Sequence, residues 1–226
     1  MKVNILRQQS PFSEPYWESF IYDGPEDNTV AGLLDYINYN DDIVNTDGEK
    51  TGRIAWECSC LQSVCGSCAM VINGRPSLAC ETFLKDRKCD EISIRPLSKF
   101  PVISDLVVDR ASIFESLKDS NAYIEEFVSE ERGDHDLQYA SAKCLKCGLC
   151  LEVCPNYGKG QKFFGATFAN DCYLIYLRSN VMSKDIRKEY VSHFGNACSK
   201  SLSCMDVCPA GIPLLSEIAA MNRSKR

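Results

Sequence analysis

The chain has 226 residues, 45% of them hydrophobic, enough to fill the cores of one or two domains. A net charge of −6 offers no basic field to nucleic acid or to an acidic membrane surface, so no nucleic-acid partner is expected. No run approaches the roughly 18 to 20 apolar residues that span a bilayer, and the opening MKVNILRQQSPF lacks the apolar core and cleavage site of a signal peptide, so a cytoplasmic chain is expected.

In chain order, residues 3–6 and 17–22 read as strands, and 29–39 as a helix that starts behind a threonine cap. A loop bearing Cys and Gly follows. Residues 70–72 and 77–79 then flank Asn73-Gly74, a hairpin signal, and 92–94 would close the sheet. RPLSKFPVISDLVVDR (95–110) reads as an extended connector leading into a helix at 105–117. Further on, 165–178, 183–194 and 212–222 have helical spacing and few strand signals. The expected class is α+β: a β-rich domain over 1–98 and a mostly helical one over 99–226.

Fourteen cysteines stand against two histidines, His135 and His193, so any metal site is almost purely thiolate. Thiol buffers of a cytoplasm keep disulfides reduced, and soft sulfur ligands select zinc or iron-sulfur clusters. Cys60-x4-Cys65-x2-Cys68, then eleven residues to Cys80, is the plant-type ferredoxin spacing for a 2Fe-2S centre. Gly66 allows a tight loop whose N–H groups face the sulfides. A zinc site or buried free thiols is the other reading, but zinc sites usually pair two short C-x2-C hooks, which this half lacks. Cys58 and Cys89 read as bystanders, Cys89 as a small core residue.

KCLKCGLCLEVCPN (143–156) carries Cys144-x2-Cys147-x2-Cys150-x3-Cys154-Pro155, the bacterial ferredoxin run whose fourth cysteine serves the other cluster. CSKSLSCMDVCPAG (198–211) nearly repeats it. Cys208 should therefore complete a 4Fe-4S site with Cys144, Cys147 and Cys150, while Cys154 joins Cys198 and Cys204. The repeat has Ser201 where its middle cysteine belongs. Three thiolates favour a 3Fe-4S centre; a fourth iron held by Ser201 or water, or an ordinary 4Fe-4S pair, stays open. Cys172 sits in helical spacing and reads as core.

One plant-type centre followed by two bacterial-type runs resembles the iron-sulfur subunit of succinate dehydrogenase and fumarate reductase. CGSCAMVINGRPSLACETFL (65–84) looks like that family's 2Fe-2S loop and hairpin, and PLSKFPVISDLVVD (96–109) like its connector. The resemblance covers about residues 1–222. It implies a β-grasp ferredoxin domain and an α-helical ferredoxin domain. It also implies an FAD-bearing flavoprotein subunit that handles succinate or fumarate, and a membrane subunit, of cytochrome b type in some members, that carries the quinone. Electrons would cross 2Fe-2S, 4Fe-4S and 3Fe-4S centres in that order or the reverse, in a chain bound peripherally at the cytoplasmic face of the membrane. No G-x-G-x-x-G nucleotide fingerprint is present, which fits a flavin on another chain. Ubiquinone-type members carry a tryptophan pair after the proline matching Pro155 and a histidine after the cysteine matching Cys198. This chain has Asn156-Tyr157-Gly158-Lys159 and Ser199 there, closer to menaquinone-linked members. Tyr157, Lys159, Ser199 and Lys200 are candidates for the quinone site, with ordinary surface and packing roles as the other reading. Two rival functions remain: the electron wire of another flavoprotein, such as a thiol- or heterodisulfide-linked reductase, and a zinc-stapled binding protein.

Overall fold

The computed structural model describes residues 1–86, 90–124, 135–158, 160–178 and 183–223. In β1 (Lys2–Arg7) every second side chain, Val3, Ile5 and Arg7, is buried, the period-two pattern of a strand with one covered face. β2 (Tyr16–Ile21) runs antiparallel beside it. Thr29 then caps α1 (Val30–Asn38), its side chain accepting from the Gly32 N–H, and the helix buries Val30, Leu33, Leu34 and Ile37. The short pair β3 (Ile43–Val44) and β4 (Lys50–Thr51) follows. β5 (Ala69–Ile72) and β6 (Arg75–Leu78) form the expected hairpin. Asn73 at φ 48° and Gly74 at φ 76° make its two-residue turn left-handed, which matches the twist of the strands. β7 (Glu91–Arg95) inserts between β1, to which it is parallel, and β5, giving the order β2-β1-β7-β5-β6. The core of this sheet holds Phe20, Met70, Ile92 and Ile94, each worth about 1.5–3 kcal/mol when fully buried.

The connector does not lead straight into a helix. It folds as a small hairpin, β8 (Val102–Ser104) and β9 (Val107–Val108), and α2 begins only at Ala111 (Ala111–Asp119), so the helix expected from residue 105 starts six residues late. Asp105 explains the shift. It turns the chain at φ 46°, and its carboxylate accepts from the N–H groups of Gln8 at 3.0 Å and Ala55 at 2.8 Å. Arg7 pairs with it at 3.0 Å and with Glu18 at 2.7 Å, all three side chains being buried. Removing one partner of such a buried ionic group typically costs about 3–5 kcal/mol, so Asp105 is held as a turn by partners 50 and 97 residues away.

The chain divides into two units, Met1–Asp109 and Arg110–Arg226. After α2 the second unit contains α3 (His135–Ser141), α4 (Leu149–Glu152), α5 (Gly165–Arg178), α6 (Ser183–Tyr190), a π-helical turn (Val191–Gly195), α7 (Ser203–Asp206) and α8 (Leu214–Arg223). α5 is the central element. It buries Phe168, Ala169, Cys172, Tyr173 and Leu177, and α2, α3, α4, α6 and α8 all pack on it. A helix covered on several sides reads as apolar nearly all round rather than along one stripe.

Candidate functional site

The loop that carries Cys60, Cys65 and Cys68 is coiled by left-handed backbone at Leu61 (φ 54°), Ser63 (φ 60°) and Gly66 (φ 79°). Two of these are not glycine, a conformation that persists only where the surroundings hold it. The turns aim N–H groups at sulfur: Gln62 N–H lies 3.3 Å from Cys60 Sγ. Cys68, at the entry to β5, and Cys80, just past β6, sit with Sγ atoms 3.4 Å apart because Ala79 N–H bonds to the Cys68 carbonyl. Hydrogen bonds, first from the Ser67 side chain and then from backbone at Cys60 and Ser67, draw the Cys65 thiol down to about 6. Burial pushes Cys68 the other way, to about 12. Cys58 is exposed, and Cys89 lies outside the described residues.

In the helical unit, Cys144, Cys147, Cys150 and Cys208 line one small apolar cavity. Three come from a single turn-and-helix, the fourth from a run 54 residues further on. Burial raises the Cys147 thiol to about 11 and lifts Cys150 well above its usual range, with the neighbouring thiols adding to it. Thiols as buried as those of Cys144, Cys147 and Cys150 are unfavourable as thiolates unless positive charge sits among them, which bound iron would supply. Among the described residues no three His, Cys, Asp or Glu side chains converge tightly enough for one metal ion. Thiols spread around a cavity suit a multinuclear cluster, and the donor set fits one.

Cys154, Cys198 and Cys204 form the third group. Burial first, then the charges of Cys154 and Cys198, raise the Cys204 thiol to about 11. Asn156 Nδ2 donates to the Ala197 carbonyl, which ties the end of the first run to the start of the second. The backbone repeats even where the cysteine does not: Lys146 and Gly148 are left-handed at φ 53° and 87°, and so are Lys200 and Leu202 at φ 58° and 59°. α4 and α7 begin at equivalent places. Ser201 therefore occupies the place of Cys147 in the same loop, where it is exposed and 3.5 Å from Ser203 Oγ. Cys172 is fully buried in the core around α5.

Of the quinone candidates, Tyr157 is half-buried with its hydroxyl 3.2 Å from Ser112 Oγ, Ser199 and Lys200 are exposed beside Cys198, and Lys159 lies outside the described residues. A polar group behind the cavity was not apparent from the motifs: buried Asn170 on α5, Glu217 on α8 and Ser141 on α3, with the partly exposed pair Asp171 on α5 and Lys146 in the first loop. The signal for it is a carboxylate on the apolar stripe of Leu214, Glu217 and Met221, which share one helix face.

Comparison with known proteins agrees with this geometry. Residues 2–115 match a family described as a 2Fe-2S iron-sulfur cluster binding domain, and residues 140–212 match a 4Fe-4S dicluster domain. The chain is 38% identical to the succinate dehydrogenase iron-sulfur subunit of Bacillus subtilis, over 97% of this chain and 90% of that one. It is 30% identical to the fumarate reductase iron-sulfur subunit of Haemophilus influenzae, over 96% and 90% respectively. Its fold matches a chain of the Mycobacterium smegmatis Sdh1 complex in the apo form, with a TM-score of 0.73 at 23% identity, covering 99% of this chain and 94% of that one.

Proposed function

The chain belongs to the iron-sulfur subunits of the succinate dehydrogenase and fumarate reductase family, and we propose which residues of it do the family's work. It relays electrons through iron-sulfur clusters as part of an oxidoreductase complex. Cys60, Cys65, Cys68 and Cys80 hold the 2Fe-2S cluster; Cys144, Cys147, Cys150 and Cys208 hold the 4Fe-4S cluster; Cys154, Cys198 and Cys204 hold a 3Fe-4S cluster. The observation that carries this set is the arrival of Cys208, from the second run, in the cavity lined by three cysteines of the first. A cluster bound there supplies reversible one-electron exchange. The protein supplies a dry wall, fixed sulfurs and N–H groups such as that of Ile212, 3.4 Å from Cys208 Sγ.

The five-stranded mixed sheet and α1 support reading the first domain as a β-grasp ferredoxin. Helices alone among the described residues of 110–226 support an α-helical ferredoxin for the second. We divide the two between residues 98 and 99, within the 95–110 segment. An FAD-bearing flavoprotein would exchange electrons with the chain, and a membrane anchor would carry quinone, with menaquinone favoured by Tyr157 and Ser199. No helix among the described residues is long and apolar enough to cross a membrane, and peripheral attachment at the cytoplasmic face is assigned to the anchor.

Anaerobic co-purification from the native host, with electron paramagnetic resonance of the complex, tests the ligand set. Cys208→Ala is expected to remove the reduced 4Fe-4S signal and leave the 2Fe-2S signal in place. Cys58→Ala and Cys172→Ala are expected to keep the full iron content. Loss of the 3Fe-4S signal instead in Cys208→Ala would show that the two runs do not exchange their fourth cysteines. The identity of the co-purifying flavoprotein separates succinate or fumarate chemistry from a thiol- or heterodisulfide-linked reductase.

A further inference from the structure

Behind the cavity that gathers Cys144, Cys147, Cys150 and Cys208 lies a carboxylate that the electron relay does not use. Glu217 on α8 is fully buried. With its amide nitrogen facing the acceptors, Asn170 donates to Glu217 Oε1 at 2.9 Å and to the Ser141 carbonyl at 3.0 Å. Asn170 itself lines the cysteine cavity, so one amide separates the carboxyl from the cavity. Glu217 Oε2 has no hydrogen-bond partner among the described residues, an arrangement that disfavours the ionised form. The titratable and charged groups that face Glu217 are Asp171 from α5, Lys146 from the first cysteine loop and Tyr190 at the end of α6. Lys146 forms an ion pair with Asp171 that is partly open to solvent. Burial above all pushes Glu217 up to about 7, with Asp171 adding to the rise and the Ser141 side chain and Lys146 opposing it.

We propose that Glu217 is a redox-linked proton site for the 4Fe-4S centre: it takes up a proton when an electron enters that centre and releases it when the electron leaves. The inference rests on the ligand reading given above. As one electron arrives from the relay, Glu217 carboxylate forms an O–H bond with a proton from water, so one negative charge is gained at the cluster and one is lost beside it. The reverse step returns the proton to water. A unit charge about 10 Å away at an effective dielectric of about 20 moves a neighbouring pKa by about one unit. That is enough to change the charge of a group already poised near neutrality.

The test is a redox titration of the purified complex with dithionite between pH 6 and pH 9, with the 4Fe-4S midpoint read by electron paramagnetic resonance. In wild type the midpoint is expected to be flat at the acid end, where Glu217 is protonated in both states. It then falls as pH rises through about 7 to 8, by about 59 mV in total, the tenfold change in the equilibrium that a one-unit pKa shift carries, and levels off again above that. Glu217→Gln keeps the shape and the Asn170 contact and fixes the neutral form, so its midpoint is expected to stay at the acid value throughout. Infrared difference spectra of wild type on reduction should gain a protonated-carboxyl band that the variant lacks. Equal slopes in wild type and variant overturn the inference, as does a slope lost in Asp171→Asn but kept in Glu217→Gln. A 4Fe-4S signal with a pH-independent midpoint refutes this inference alone; absence of that signal from wild type refutes the ligand reading and this inference with it.

Discussion

Ser201 stands in a loop whose backbone copies that of Cys147, with left-handed residues on either side at Lys200 and Leu202. The geometry for a fourth ligand is therefore built, and one atom type is missing from it. Sulfur at that place would add a thiolate where an alcohol now sits. Ser201→Cys is expected to favour capture of a fourth iron and to lower the potential of the centre, because more negative charge near iron opposes adding an electron. The air-oxidised complex should then show a weaker 3Fe-4S signal than wild type. Succinate-to-quinone transfer should slow while succinate-to-dye transfer at the flavin stays largely intact. A wild-type complex with no 3Fe-4S signal after mild oxidation would mean that Ser201 does not mark an empty corner.

Among the elements, α4 and α5 set the position of the cavity. α4 has only four residues and brings Cys150 to the cavity by packing on α5. That packing depends on Gly165, the first residue of α5. Its φ is +80°, and a Cβ there would overlap the Leu151 side chain. Both the backbone conformation and the space call for glycine. Gly165→Ala is expected to destabilise the helical unit by about 1–3 kcal/mol through overpacking and left-handed strain. It should also cost iron from the helical unit before the 2Fe-2S signal is touched, measured by thermal melting and iron content. An unchanged melt would show that α4 shifts freely.

At the scale of the whole molecule, each unit brings together its own thiols. In the first, the sheet hairpin returns Cys80 to Cys68; in the second, α4, α5 and α7 surround the rest. Such a chain moves electrons and leaves substrate chemistry to its partners. If the quinone is menaquinone, whose low potential favours flow toward fumarate, the complex should reduce fumarate efficiently with a reduced naphthoquinone. A clear preference for ubiquinone with negligible fumarate reduction would overturn that assignment. The readout is the ratio of the two rates in one preparation.

Local signals were enough for much of this protein. Thr29 as a cap, Asn73-Gly74 as a left-handed turn and the span of α5 from Gly165 to Arg178 all follow from rules that act within a few residues. The cysteine spacings within each run are equally local, because a cluster-binding loop is one short stretch of chain wrapped on one object. Contacts distant in sequence decided the rest. Asp105 lies where helical spacing begins, yet Arg7, Gln8 and Ala55 hold it in a turn, and the helix waits until Ala111. Glu217 has the look of a surface acid on an amphipathic helix; only the packing of α8 on α5 buries it beside Asn170. Charge and propensity are properties of a segment, whereas burial and the partners of a buried charge belong to the assembled fold.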